Sequence, residues 1–286
     1  MSKASVAFIG LGVMGYPMAG HLANAGYQTC VYNRTTAKAR QWCEDYPGHF
    51  ALTPREAVQS ADFVFVCVGN DDDLRSVING DDGVLAGISD HAILVDHTTA
   101  SADVAREIAE KAAVPFLDAP VSGGQAGAEN GVLTIMAGGE KAAFDAVRPV
   151  LMSYARTVEL LGPVGSGQLT KMVNQVCIAG LLQGLSEGLN FARRAGLDGA
   201  KVLDVINKGA AGSWQMENRG LTMLQDEFEF GFAVDWMRKD LGICLAESFK
   251  NGAQLPITEI IDGYYGELQA MGGGRWDTSS LIRRLK

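Results

Sequence analysis

Five cysteines and four histidines are all that this chain of 286 residues offers to a metal through sulfur or imidazole. Cys30, Cys43, Cys67, Cys177 and Cys244 lie far apart with no C-x-x-C pair, and His21, His49, His91 and His97 form no H-x-x-x-H. Those spacings argue against structural zinc and against a disulfide framework, so no metal is expected. Cys30, Cys67 and Cys177 sit in apolar segments and read as free, buried thiols. Missing too is any apolar run near the ~20 residues that span a bilayer, and the first strand begins within about five residues, which leaves no room for a signal peptide. A cytoplasmic protein without a membrane partner is the expectation. Net charge is −9, with only a short Asp71-Asp72-Asp73 cluster and no basic stripe. Nucleic-acid or anionic-membrane binding therefore lacks its electrostatic footprint, and a small-molecule partner fits better.

What is there is a folded chain, 47% hydrophobic, long enough for two domains that each bury a core. Its first strand, Val6 to Ile9, runs into Gly10-Leu11-Gly12-Val13-Met14-Gly15, a G-x-G-x-x-G turn ahead of a helix over Pro17 to Ala25. Gly10 permits a sharp turn, Gly12 lets backbone approach a pyrophosphate, and Gly15 lets the helix pack closely on the sheet. The helix N-terminus then faces the phosphates with free N–H groups and the positive end of its dipole. Three glycines alone signal little, since turns use glycine without any ligand; strand before and helix after make the case for a dinucleotide.

Strand-like runs at Thr29 to Asn33, Phe63 to Val68 and Ala92 to Asp96 alternate with helical stretches at Thr36 to Asp45 and Ser101 to Lys111. That alternation predicts a parallel sheet wrapped by helices. Further strands follow at Pro115 to Asp118, Leu133 to Ala137 and Thr157 to Leu161, after which helical periodicity takes over. The turn-rich Gly162-Pro163-Val164-Gly165-Ser166-Gly167 precedes one apolar helix from about Gln168 to Ala195, ~40 Å long at 1.5 Å per residue. The predicted fold is α/β: an N-terminal Rossmann-type doubly wound parallel sheet over 1–162, then an all-α C-terminal domain over 163–286, joined by that long interdomain helix. Gly272-Gly273-Gly274 reads as a flexible loop before a final short helix.

Few residues carry chemistry. Lys171 falls in the first turn of the long helix, where the dipole disfavours a cation and burial lowers an amine's pKa, as suits a proton donor or acceptor near neutral pH. Asn174 and Gln175, at i+3 and i+4, share its face. The same residues also read as a surface lysine beside two solvated amides. Asp118-Ala-Pro-Val-Ser122-Gly123-Gly124 ends a strand in a small-residue loop, some dozen residues long through Gly127 and Gly131, whose N–H groups suit a carboxylate or simply make a turn. After the second strand, Asn33-Arg34-Thr35 offers no acid for a ribose; Arg34 suits a 2′-phosphate, so NADP(H) is the expected cofactor and NAD(H) the alternative. Val68-Gly69 and Thr98-Thr99 lie on the same carboxyl edge, in reach of the nicotinamide ribose. Lys239-Asp240, in an apolar helical pattern, reads by itself as a salt-bridged helix surface.

Taken together these segments resemble the β-hydroxyacid dehydrogenases, the family of 3-hydroxyisobutyrate dehydrogenase and tartronate semialdehyde reductase. The match rests on Phe8-Ile-Gly-Leu-Gly-Val-Met-Gly-Tyr-Pro-Met18, Asp118 to Gly124, Gly165-Ser-Gly-Gln-Leu-Thr-Lys-Met-Val-Asn-Gln175, and Lys239-Asp-Leu241 with Gly252-Ala-Gln-Leu-Pro256. Asn then Gln after the lysine, and Gly-Ala-Gln-Leu-Pro, are more similar to the tartronate semialdehyde reductase branch. The resemblance implies a dehydrogenase in which Lys171 is the acid/base, Ser122, Gly123 and Gly124 hold a substrate carboxylate, Asn174 and Gln175 orient substrate or lysine, and Lys239 helps close the site near the cofactor. It implies a short 3-hydroxy or 3-oxo acid as substrate. Reduction of glyoxylate or succinic semialdehyde, oxidation of L-serine or 3-hydroxypropionate, and a dinucleotide-binding sensor stand as alternatives. Relatives commonly self-associate, so a homodimer or homotetramer is expected. Gly69, where the family often has proline, and Trp214, where smaller residues are expected, depart from the pattern.

Overall fold

A computed structural model describes residues 3–285, which form two compact units that divide between Lys171 and Met172. The first unit alternates β1 (Ser5–Ile9), α1 (Gly15–Asn24), β2 (Gln28–Tyr32), α2 (Thr36–Asp45), β3 (His49–Phe50), α3 (Pro54–Val58), β4 (Phe63–Val66), α4 (Asp71–Ile78), β5 (Ile93–Asp96), α5 (Ala102–Lys111) and β6 (Phe116–Asp118). It continues through β7 (Val121–Ser122), α6 (Gly124–Glu129), β8 (Leu133–Gly139), α7 (Lys141–Leu151) and β9 (Ala155–Leu160). Strands run parallel in the order β3-β2-β1-β4-β5-β6. The order reverses direction between β1 and β4, and the crevice at their carboxyl ends is where an open α/β sheet binds its ligand.

Alternation along β1 explains the two layers. Val6 and Phe8 point into one apolar cluster, with Leu22, Trp42, Phe65 and Tyr154, while Ala7 and Ile9 point into the other, with Val64, Leu74, Leu94 and Val104. Helix α2 is otherwise polar and buries only Ala39 and Trp42. Its docking rests on that indole, whose burial is worth roughly 4–6 kcal/mol at ~25 cal/mol/Å². The Trp42 Nε1–H donates to the Tyr16 carbonyl at 3.1 Å, so the ring's polar atom is not stranded.

The α/β fold with its N-terminal parallel sheet is as expected, and two details within it differ. The sheet is not parallel throughout: β8 pairs antiparallel with β6 and β7, and parallel with β9. The stretch after Ser122 is a six-residue helix, α6, entered through Gly123 and Gly124, both at positive φ (134° and 62°).

The second unit takes most of α8 (Ser166–Arg194), then α9 (Gly199–Ile206), α10 (Trp214–Gln225), α11 (Val234–Asn251) and α12 (Pro256–Ala270). Ala179, Leu182, Met237, Leu241, Ile261 and Tyr265 form its centre. Gly272 is exposed with open space beside it, but Gly273 and Gly274 are packed rather than loose: a Cβ on Gly273 would lie 2.1 Å from the Trp276 ring, and the Gly274 carbonyl accepts from the Asp235 N–H at 2.9 Å. The last described residues form a 3₁₀ helix, Thr278–Leu285. Cys177 is exposed and Cys67 half-buried, so of the three expected buried thiols only Cys30 is. No helix among the described residues is long and apolar enough to cross a membrane.

Two buried groups make the first unit's stability depend on pH in opposite senses. Burial lowers His97 to about 4, its ring hydrogen-bonded to the Ala119 carbonyl and the Tyr154 hydroxyl. Burial raises Asp96 to about 7, and its Oδ2 has no hydrogen-bond partner among the described residues. The folded state thus holds the Asp96 proton between its ordinary 3.8 and about 7, and this stabilisation is lost as pH rises through that window. His97 acts the other way, its contribution being lost as pH falls from 6.5 towards about 4. The variant Asp96→Asn keeps the acceptor for the Thr98 N–H and removes the ionisation. Thermal midpoints measured from pH 4 to 8 are expected to show the variant gaining on the wild type as pH rises; a constant difference would refute the assignment.

Candidate active site

The glycines of the β1–α1 turn divide by what surrounds them. A Cβ on Gly10, which sits at φ +101°, would lie 2.2 Å from the Cys67 carbonyl oxygen, and one on Gly15 would lie 2.0 Å from the Gly10 oxygen. Both are needed for packing. A Cβ on Gly12 would meet nothing within 4 Å, and Val13 beside it is 60% exposed. Gly12 therefore faces open space on the carboxyl edge, and Met14 at the start of α1 gives the helix no side-chain cap and no acid in its first turn. A helix end left uncapped over an open glycine suits an anion, and the turn fits a dinucleotide pyrophosphate. The Leu11 N–H is already used, donating to Asn33 Oδ1 at 2.9 Å, which ties the turn to the end of β2.

Further along the same edge, the Val68 N–H donates to Thr98 Oγ1 at 3.1 Å, joining the loops that follow β4 and β5. Asn33 Nδ2 donates to the Thr35 carbonyl at 3.1 Å. Arg34 is held 3.3 Å from Asp73 Oδ1, and its side chain is 86% exposed. Such a pair is worth about 0–1 kcal/mol, so a phosphate competes for the guanidinium at little cost. Asp73 itself belongs to the acidic cluster Asp71 to Asp73, which occupies the first turn of α4 behind the Asn70 cap, where the helix dipole favours negative charge.

Lys171 is 7% exposed, which rules out the surface-lysine reading. The start of its helix is fastened to the sheet. Asp118, buried at the end of β6, accepts from the Gly165 N–H at 2.7 Å through Oδ1 and from the Gln168 N–H at 2.8 Å through Oδ2. Burial pushes the Asp118 carboxyl above its ordinary range, while N–H donors of Gly165, Gln168 and Gly167 pull it back. Ser122 lies half-buried in β7, and Gly123 and Gly124 follow it with exposed backbone.

In the second unit the expected residues meet around a carboxylate that the sequence reading passed over. Asn174 Nδ2 donates to Gln175 Oε1 at 2.8 Å, Gln175 Nε2 donates to Asp240 Oδ2 at 2.6 Å, and Lys239 Nζ lies 3.1 Å from Asp240 Oδ1. Asp240 is 1% exposed. Asp240 is thus the buried end of a polar chain, with Lys239 partly exposed beside it, rather than a member of a surface pair. The signal available in sequence was an acid amid apolar helix positions, since a buried charge must be paired. Trp214, half exposed, has the Arg219 guanidinium 4.9 Å from its ring.

Comparison with known proteins shows the family. A family model described as the NAD binding domain of 6-phosphogluconate dehydrogenase matches residues 5–162, and one described as NAD-binding of NADP-dependent 3-hydroxyisobutyrate dehydrogenase matches 165–285. An uncharacterised oxidoreductase of Shewanella frigidimarina is 65% identical, covering 99% of this chain and 98% of its own. A probable 3-hydroxyisobutyrate dehydrogenase-like protein of Arabidopsis thaliana is 40% identical, covering 100% of this chain and 86% of its own. The structure of Mycobacterium tuberculosis 3-hydroxyisobutyrate dehydrogenase with L-serine is 28% identical, covers 99% of each chain and superposes with a TM-score of 0.89. The chain belongs to the β-hydroxyacid dehydrogenase family and is an NAD(P)-binding oxidoreductase of the 3-hydroxyisobutyrate dehydrogenase type.

Proposed function

We propose that this enzyme interconverts a short 3-hydroxy carboxylate and its 3-oxo partner, with Lys171 as general acid and base. The observation that carries the reading is a lysine only 7% exposed in the second turn of α8, which begins two residues earlier than expected, since an amine buried there serves proton transfer better than solvation. When bound, the dinucleotide supplies or takes the hydride. The chain's own part is to hold and protonate. Gly10, Leu11, Gly12, Val13, Met14 and Gly15 receive the pyrophosphate, Asn33, Arg34 and Thr35 the adenosine ribose, and Val68, Gly69 and Thr99 the nicotinamide side. Ser122, Gly123 and Gly124 hold the substrate carboxylate by backbone N–H and hydroxyl. In reduction the Lys171 ammonium donates its proton to the carbonyl oxygen; in oxidation the neutral amine takes the hydroxyl proton. Asn174 and Gln175 orient substrate, and Lys239 serves both substrate and cofactor.

The substrates we favour are 3-hydroxyisobutyrate, supported by the named relatives, and tartronate semialdehyde or glycerate, supported by the Asn174-Gln175 and Gly252 to Pro256 motifs. L-serine is a second candidate, since a relative's structure holds it. Absorbance at 340 nm across a panel adding 3-hydroxypropionate, glyoxylate and succinic semialdehyde ranks them. On the best substrate, Lys171→Ala is expected to lower kcat at least about 10²-fold while dinucleotide affinity changes little; retained turnover would remove Lys171 from the chemistry.

We infer NADP(H) as the preferred cofactor from Arg34 and from the lack of an acid at the end of β2. Losing one charge-assisted contact to a 2′-phosphate costs about 1.5–3 kcal/mol, so Arg34→Ala should lower kcat/KM for NADP roughly 10- to 100-fold and leave that for NAD nearly unchanged. A wild-type preference for NAD would overturn this.

Self-association into a dimer or tetramer, in the cytoplasm, belongs to the same proposal. Val173, Leu181 and Phe191, exposed along α8 at 63%, 45% and 73%, support it. Light scattering on the eluted protein is expected to give two or four times the chain mass, and a monomer at micromolar concentration would contradict it.

A further inference from the structure

Gln168 is wholly buried, and each hydrogen-bonding part of it is used by a different piece of the carboxyl edge. Its Nε2 donates to the Thr98 carbonyl at 2.7 Å, its Oε1 accepts from the Ala100 N–H at 3.1 Å, and its own N–H donates to Asp118. Thr98 in turn donates its N–H to Asp96 Oδ1 at 2.9 Å and accepts from the Val68 N–H. One continuous set of bonds therefore runs from the loop after β4, through the loop after β5, into the first turn of α8. The space around it is closed. A Cβ on Gly167 would lie 2.4 Å from the Met136 carbonyl oxygen, and one on Gly138 would lie 2.6 Å from Asp118 Oδ1. The helix start is pressed against the strand ends and cannot slide without breaking several buried bonds together.

Lys171 stands three residues beyond Gln168, less than one turn away. We propose that Gln168, with Asp118, is a positioning residue: it sets where the Lys171 amine stands relative to the loops carrying Val68 and Thr99. This rests on the reading of Lys171 as acid/base. A misplacement of about 1 Å costs on the order of 10²-fold in a reaction that depends on alignment. Side chains three residues from the amine and never in contact with substrate can then govern kcat. Methionine matches glutamine closely in length and volume, so Gln168→Met keeps the packing and deletes both side-chain hydrogen bonds.

The test is a double-mutant cycle on kcat with Gln168→Met and Lys171→Ala, accompanied by thermal midpoints and by dinucleotide affinity from nicotinamide fluorescence. Gln168→Met alone is expected to lower kcat 10-fold or more, with substrate KM and dinucleotide affinity within about threefold of wild type. In the Lys171→Ala background the same change is expected to cost less than about twofold, because the group it positions is gone. If Gln168→Met is harmless, or costs as much without the lysine as with it, Gln168 only supports the fold and the proposal fails. Should Gln168→Met not fold, Asp118→Asn takes its place in the same cycle, with the same outcomes deciding. Full activity in Lys171→Ala alone would instead sink the acid/base reading, so the two failures are told apart.

Discussion

The carboxylate of Asp118 at the start of α8 is the contact on which the carboxyl edge of the first unit is built. Burying a charge costs several kcal/mol unless it is paired, and among the described residues this one is satisfied by N–H donors. Its partners are the backbone N–H groups of Gly165, Gln168 and Gly167, the donors that a helix start leaves over. Each side removes the other's penalty. An uncapped 29-residue helix and an unpaired acid at a strand end would both be costly in the same place, and together they make a fixed joint. The antiparallel return of β8 serves that joint, because Gly138 at its end gives Asp118 the room that any side chain would fill.

Glycine does two different jobs on this edge. At Gly10, Gly15, Gly138 and Gly167 it allows one piece of backbone to lie against another, and a methyl group would meet protein atoms within 2.6 Å. At Gly12 and Gly124 it leaves open space. The first kind of glycine builds the frame; the second leaves backbone accessible to a ligand. A motif written as three glycines hides this difference, and only neighbours far along the chain reveal it: Cys67 for Gly10, Asp118 for Gly167.

Much of the frame was legible in the sequence, because the signals were local. Buried runs such as Phe63–Val66 and the Ile93-Leu94-Val95 part of β5 are continuous and apolar, as strands covered on both faces must be. The turn after β1 announces itself, and α8 differs from its expected ends by two residues or fewer. What escaped was tertiary. β3 and β7 are two residues long, too short for any periodicity to show. Hydropathy does not encode strand direction, so the antiparallel pairing of β8 left no mark. Gln168 and Asp240 have partners 70 and 65 residues away, and although an acid amid apolar helix positions hints that Asp240 is paired, nothing near either residue in sequence names its partner.

The family is clear while the substrate is a proposal, and the reason lies in the chemistry of the parts. Proton transfer by a lysine and carboxylate binding by backbone N–H groups serve every short hydroxy acid alike, since all share the carboxylate and the reacting oxygen. Discrimination between a methyl and a hydroxyl substituent must come from side chains. An apolar pocket distinguishes one methylene by only about 1–3 kcal/mol, whereas a site with buried polar groups rejects a substrate that leaves them unpaired far more strongly. The chain from Asn174 through Gln175 to Asp240 and Lys239 is polar along its whole length, and Asp240 fixes the Gln175 amide by a bond of 2.6 Å. With Nε2 committed to Asp240 and Oε1 to Asn174, Gln175 has little freedom to turn toward an apolar substituent. A second asparagine in its place, one methylene shorter, would not span the same bonds. On the proposed reading of the site, the identity of this one amide would bear on substrate choice more directly than the lysine or the glycines, which any member of the family can share.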